Sequence, residues 1–462
     1  MSEMKLSEKL YMKKKSIYDT ADKDTLQKIY AFSEDYKRYL DASKTEREAS
    51  SEAIRLAEAA GFTEYRLGED LRPGDKKYYN NRGKSVYVFK IGSKPLDETG
   101  IKIIAAHIDS PRIDLKQVPL YEDSGMAFFK THYYGGIKKY QWTAIPLSLH
   151  GVIIKNDGTE VNVRIGDDPG DPVFYINDLL PHLGHDQSAK PLGSAIAGET
   201  LNILVGGMPL KEGDGDGSIK LNVLNILNEK FGITEEDFIS AELSCVPAFD
   251  ARDIGFDRAL IGAYGHDDRV CAYPLLRAIF DTDADETVLG VLADKEETGS
   301  DGNTGMQCML LLDIITEIST ALGKSSTAVR AVSKCLSADV DAAYDPNFPE
   351  VYEKRNTAII SCGATMSKYT GSRGKSGTSD ASAEFVGYIR RIFAEHNVPW
   401  QTGELGKVDI GGGGTVAKYI ANLNIDTVDL GVPVISMHAP FEVVSKADVY
   451  SAYEAFKVFI EN

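Results

Sequence analysis

Glu296 and Glu297 stand side by side where the apolar run Val288–Ala293 gives way to Asp294 and Lys295, with Thr298-Gly299-Ser300 following. Neighbouring carboxylates in such a place point in different directions, so one can bind a metal ion while the other handles protons. Apolar residues followed by charge and glycine read as a buried parallel strand opening into a loop. In open α/β sheets, the loops leaving the carboxyl ends of strands line the active-site crevice. Most Glu-Glu pairs are solvated surface, so this pair gains meaning only from its companions.

Four other segments supply them. Ile101–Ala106 is apolar and empties into His107-Ile108-Asp109-Ser110-Pro111. Gly265-His266-Asp267-Asp268-Arg269 sets two acids ahead of a helical pattern. Cys335-Leu336-Ser337-Ala338 leads into Asp339, and Val434–Met437 ends in His438-Ala439-Pro440. Three of these four deliver a His or Asp at the end of a short apolar strand, which suggests ligands converging at one edge of one sheet.

His-x-Asp, Asp-Asp, Glu-Glu, Ser-Ala-Asp and Met-His, in this order and spacing, resemble the aspartyl aminopeptidase family of metallopeptidases (M18, aminopeptidase I-like). The resemblance runs from the N-terminal helices to the last helix. It implies an α/β fold of the zinc-peptidase type, with a mostly parallel sheet flanked by helices and an inserted β-rich dimerisation domain. It also implies two Zn2+ per chain, replaceable by Co2+ or Mn2+. Two dications about 3.5–4 Å apart need a carboxylate between them, and Asp267 is the expected bridge. By similarity, His107 and Asp339 complete one metal, and Glu297 and His438 the other. Such imidazole and carboxylate donors suit zinc. Glu296 is then the expected general base, and Asp109 the group that orients the His107 ring. Asp341 and Asp268 rival Asp339 and Asp267; the family pattern selects the latter two and leaves Asp268 to shape its loop. His266 falls outside the matched positions and reads as structural. His182, in Leu179-Leu180-Pro181-His182-Leu183, matches a family histidine that reaches a neighbouring subunit's site.

The elements that must position these groups follow a readable order. Ser43-Lys44-Thr45-Glu46 fits a capping box for a helix carrying Ala49, Ala53, Leu56, Ala57 and Ala60, with Gly61 as its stop. Ser85–Lys90 and Ile101–Ala106 read as strands. From about residue 114 the pattern turns to short alternating segments, such as Ile145–Ile154 and Glu160–Ile165, separated by Asn156-Asp157-Gly158 and the Gly-rich stretch 206–217. The expected division is therefore a discontinuous catalytic unit, residues 1–113 and 249–462, with residues 114–248 inserted as an oligomerisation domain. Further helices are expected at Thr304–Leu322 and Ser445–Ile460. Arg373 and Lys375 are candidates for a basic specificity pocket or a solvated loop.

Composition narrows the class. At 462 residues, two domains are the natural expectation. A net charge of −18 argues against nucleic acid or an anionic membrane as partner. No apolar stretch approaches the roughly 18 residues of a membrane span, and the start lacks a signal peptide's apolar core. Cys245, Cys271, Cys308, Cys335 and Cys362 lack CxxC spacing and read as reduced, buried residues of a cytoplasmic protein.

The leading expectation is a dinuclear zinc aminopeptidase that removes single N-terminal residues from peptides with a free amine. Family resemblance adds a homo-oligomer, dimers assembling into a tetrahedral dodecamer. A related metal-dependent amidohydrolase, a carboxypeptidase or deacylase, is the alternative. A non-catalytic scaffold is a third reading, opposed by the presence of every ligand and of Glu296.

Overall fold

The computed structural model describes Leu6, residues 10–210 and residues 218–462. Residues 1–5, 7–9 and 211–217, which include most of the chain's start and the far half of the Gly-rich stretch, lie outside the described residues.

The apolar runs form the middle of a nine-stranded sheet. Ile101–His107 lies at its centre, parallel to Thr287–Ala293 on one side and to Lys334–Ser337 on the other, with Asp426–Gly431 parallel beyond. The first two strands are buried at every residue, which fits their largely apolar sequence, with Lys102, His107 and Thr287 the polar exceptions. Alternate side chains serve opposite faces. Ile104 and Ala106 join a core with helices His266–Asp281 and Lys446–Glu461, whereas Ile103 and Ala105 face helix Leu310–Ala321. The sheet is mixed at its flanks, where Ser85–Lys90 runs antiparallel to Thr287–Ala293 and Ala364–Ser367 antiparallel to Asp426–Gly431.

A second sheet takes in strands from Arg112–Asp123 to Ala241–Pro247. Ala241–Pro247 pairs with both Arg112–Asp123 and Pro146–Ile154, so six strands close into a barrel, with Glu160–Ile165 added outside Pro146–Ile154. Closure removes the exposed edges that an open sheet would present. The barrel has its own core, including Ile113, Phe129, Trp142 and Leu149, and helix Ser218–Phe231 packs on it. A five-stranded sheet then joins Arg252–Ile254, Leu260–Ala263, Glu442–Ser445, Pro433–Ile435 and Asp341–Ala342.

Several local expectations shift. The capping box is Thr45 with Glu48, not Ser43 with Glu46: Ser43 closes the preceding helix Lys23–Ala42, so only Thr45 is free to cap Glu46–Ala59. The helix expected from Thr304 begins at Leu310, because the Thr304 hydroxyl bonds Asp294 and Gly305 bridges to it, holding that segment against the strand end. Ser445 caps Lys446–Glu461 as its spacing suggests. Among the described residues no helix is long and apolar enough to cross a membrane.

Candidate metal centre

Parallel strands put their carboxyl ends at one edge, and there the chain collects its His, Asp and Glu residues. His107 is the last residue of its strand. Asp339 follows Lys334–Ser337 by two positions, held against Gly431, where a Cβ would lie 1.7 Å from the Asp339 carbonyl oxygen. Asp267 and Asp268, joined by a cis peptide bond, open helix His266–Asp281 with backbone angles outside the helical region. Glu296 and Glu297 lie in a single 3-10 turn after Thr287–Ala293. His438 follows Pro433–Ile435 and adopts a left-handed φ of 65°.

The side chains converge. His107 Nε2 lies 3.1 Å from Asp267 Oδ1 and 3.8 Å from Asp339 Oδ1. His438 Nε2 lies 3.2 Å from Asp267 Oδ2 and 3.5 Å from Glu297 Oε2. Donor atoms of His107, Asp267 and Glu297 fall within 4.8 Å of one another, as do those of His107, Asp268 and Asp339. Asp267, Glu296, Glu297, Asp339 and His438 line a cleft of about 520 Å³, with His107 and Asp268 behind them.

Charge is crowded here. Burial pushes the Glu296 carboxyl up to about 8, and Asp339, Asp267 and Asp109 add repulsion. Burial first, then Asp267, holds Glu297 well above the usual carboxylate range; Asp339 is raised too, chiefly by burial. Burial works against charge on His438, but the bond to Asp267 and the attraction of Glu297 outweigh it and carry the imidazole to about 10. Asp267 goes the other way: burial would raise it, yet the two imidazoles hold it below its ordinary value. Glu297 Oε1 and both oxygens of Asp268 are buried without a hydrogen-bond partner. Buried acids without compensation are costly, and divalent cations are the partners that this imidazole and carboxylate set fits.

Asp109 sits behind this set, fully buried. Its carboxylate accepts the backbone N–H of Glu296 at 3.1 Å and of Glu297 at 3.2 Å, so it anchors the Glu-Glu turn. His107 Nδ1 lies 3.0 Å from the Asp109 carbonyl oxygen and 3.3 Å from its Oδ1. Both contacts keep Nε2 turned to Asp267 and Asp339. Burial opposes ionisation of Asp109, but His107 wins and holds it low.

Other positions sort out less evenly. Asp268 makes no side-chain hydrogen bond, so its carboxylate does not brace its loop as expected. Asp341 turns to Ser367 Oγ at 3.2 Å and lines the cleft further along. His266 is buried against the Tyr36 hydroxyl at 2.7 Å, a structural contact. His182 is exposed on the short turn Pro181–Leu183 and does not line the cleft of its own chain. Lys375 pairs with Asp380 at 3.0 Å, and neither it nor Arg373 lines the main cleft; Lys418 does.

Sequence reasoning missed two groups. The Glu442 carboxylate accepts the N–H of His438 at 2.7 Å and of Asp267 at 3.1 Å, tying two distant loops together. Its only sequence signal is an acid four residues after His438, just ahead of Val443-Val444. Tyr134 donates its hydroxyl to Asp109 Oδ2 at 2.8 Å and has no sequence signal at all.

Comparison with known proteins points to one family. A family model described as "Aminopeptidase I zinc metalloprotease (M18)" matches residues 39–460. A probable M18 family aminopeptidase 1 from Clostridium acetobutylicum is 48% identical over 457 residues, covering 97% of this chain and 98% of the relative. The crystal structure of an M18 aminopeptidase from Thermotoga maritima superposes with a TM-score of 0.93 at 44% identity, covering 98% of this chain and 100% of that one. The fold also matches that of a yeast mApe1 dodecamer, with a TM-score of 0.76 at 21% identity over 94% of this chain and 97% of that one. With a family match over most of its length and this end-to-end likeness, the chain belongs to the M18 family of zinc metalloprotease aminopeptidases.

Proposed function

We propose that the cleft is a dinuclear zinc centre with which the protein removes single residues from the N-termini of short peptides. One observation carries this reading: two imidazoles address separate oxygens of one carboxylate, His107 at 3.1 Å from Asp267 Oδ1 and His438 at 3.2 Å from Oδ2. A carboxylate approached on both oxygens suits a bridge whose charge offsets the repulsion of two dications. In this reading His107 and Asp339 hold one ion, Glu297 and His438 the other, with Asp267 shared. The donors also tolerate Co2+ or Mn2+. When bound, the ions would lower the pKa of water and polarise the scissile carbonyl.

The chain's own residues do the rest. Glu296, fixed through its N–H to Asp109, takes a proton from the attacking water and returns one to the leaving amine. Asp109 keeps the Glu-Glu turn and the His107 ring in register. Residues 1–113 and 249–462 form the catalytic unit and residues 114–248 the pairing domain; the closed barrel supports that division. The yeast dodecamer of like fold supports a closed homo-oligomer, dimers assembled into a tetrahedral dodecamer. The exposed His182 is free to meet a neighbouring subunit's cleft. Five free cysteines support a reducing, cytosolic location.

Elemental analysis should find two zinc ions per chain. Exhaustive chelation should abolish release of N-terminal residues, and zinc, cobalt or manganese should restore it. Full activity in metal-stripped protein would sink the proposal. N-acetylated peptides should resist; their equal cleavage would move the protein to the deacylase or carboxypeptidase relatives.

A further inference from the structure

Chemistry of this kind does not by itself call for a barrel, yet the barrel touches the centre. Strand Met126–Tyr134 ends beside the cleft, and three consecutive residues there meet Asp109 and two of the proposed ligands, Glu297 and His438. The Tyr134 hydroxyl reaches Asp109 Oδ2 at 2.8 Å, and Asp109 in turn holds the N–H groups of Glu296 and Glu297. The Gly136 carbonyl accepts from His438 Nδ1 at 2.7 Å. Between them Gly135, at a φ of 75°, packs so closely that a Cβ would lie 3.3 Å from Glu297 Oε2.

We propose that the Tyr134–Gly136 segment is a wall of the metal centre, so that metal binding and docking of the inserted barrel onto the catalytic unit are linked. Tyr134 is a positioning residue. Its ring is clamped under the Arg112 guanidinium at 3.9 Å, and Arg112 pairs with Glu46 at 3.1 Å and Asp114 at 2.8 Å. A phenol held this firmly donates one hydrogen bond of fixed direction and sets the Asp109 carboxylate, hence the Glu-Glu turn. Gly136 acts on the other ligand loop. By accepting from Nδ1, its carbonyl fixes the His438 ring with Nε2 facing Asp267 and Glu297. Partners of this kind, one step behind the ligands, tune metal affinity as well as ring orientation. Linkage is reciprocal: if a docked barrel tightens metal binding, bound metal tightens docking by the same factor.

The inference rests on the ligand assignment proposed above, and the test separates the two. The full-length protein is compared with Tyr134→Phe, which removes only the hydroxyl, and with Gly136→Ala, whose Cβ would lie 3.3 Å from His438 Nδ1. Tyr78→Phe, which loses a Tyr–carboxylate bond to Glu58 away from the cleft, is the control. Zinc affinity is read by competition with a chromogenic chelator, and ligand geometry by the visible spectrum of the cobalt-substituted protein. The first two variants should bind zinc about 10- to 100-fold more weakly and shift the cobalt bands; the control should do neither. Hydrogen exchange across residues 112–136 should speed up in metal-stripped wild type. Zinc affinity within twofold of wild type in both variants, with an unchanged cobalt spectrum, would overturn the positioning role. Exchange indifferent to metal would overturn the linkage. A wild-type protein that binds no zinc would instead overturn the ligand assignment.

Discussion

At the scale of single residues, the centre separates groups that hold from groups that react. Glu296 has no ligand role in the proposed set, so Glu296→Gln should retain two zinc ions while kcat falls by about 10²- to 10⁴-fold. Wild-type turnover in that variant would mean that another group carries the proton. Glu442 is a group that holds. Burial pushes its carboxyl up to about 8, and the two N–H groups it accepts work in the opposite direction. Glu442→Ala strands both amides at a cost of about 1–3 kcal/mol each. It should lower the thermal midpoint and loosen zinc together, because His438 and Asp267 lose a common anchor. A variant with unchanged melting temperature and zinc affinity would show that anchor to be dispensable.

Among elements, the junction between helix Glu46–Ala59 and the barrel is built from buried charge. His150 lies 2.8 Å from Glu48 and 3.3 Å from Asp167, and Lys44 reaches Asp167 at 2.8 Å. Burial works against the His150 charge, but Asp167 and Glu48 raise its pKa above 6.5. Burial likewise opposes ionisation of Glu48 and Asp167, yet His150 leads in holding both below their ordinary values. The raised histidine contributes fully below its unfolded pKa and fades as pH climbs through its folded one. The depressed acids contribute above their unfolded values and fade as pH falls. The network is therefore strongest at about pH 5–6. The melting temperature lost in His150→Gln should be largest in that window and shrink toward alkaline pH. A loss that is flat with pH would mean that packing, not proton linkage, holds the junction.

For the whole molecule, the proposed assembly predicts a large particle and a shared site. Light scattering at micromolar concentration should give the mass of a multimer; a monomeric mass would remove the assembly claim. If His182 completes a neighbour's cleft, mixing Glu296→Gln chains with His182→Ala chains should recover part of the activity that each lacks alone. No recovery, or a fully active His182→Ala protein, would confine the site to one chain. In the proposed assembly the barrel would have two duties, pairing subunits and walling the metal centre through Tyr134–Gly136.

Much of the centre was legible in the amino-acid order. A strand buried on both faces is largely apolar, so Ile101–Ala106, despite Lys102, and Val288–Ala293 announce themselves, and whatever follows them stands at the sheet edge. His107, Glu296 and Glu297 stand out as candidates that way; Asp267, Asp339 and His438 needed the family pattern as well. Local signals erred by small steps, placing the capping box two residues early and starting a helix at Thr304 instead of Leu310. Those are choices between near-equal local options, decided by Ser43 closing one helix and Thr304 bonding Asp294. What lay beyond the sequence was the set of contacts made across long chain separations: Tyr134 on Asp109, Gly136 on His438, and Glu442 on Asp267. Periodicity records which face of an element is buried. It carries no record of which distant element lies opposite, and that pairing, settled when barrel and sheet dock, decides which hydroxyl or carbonyl holds a ligand in place.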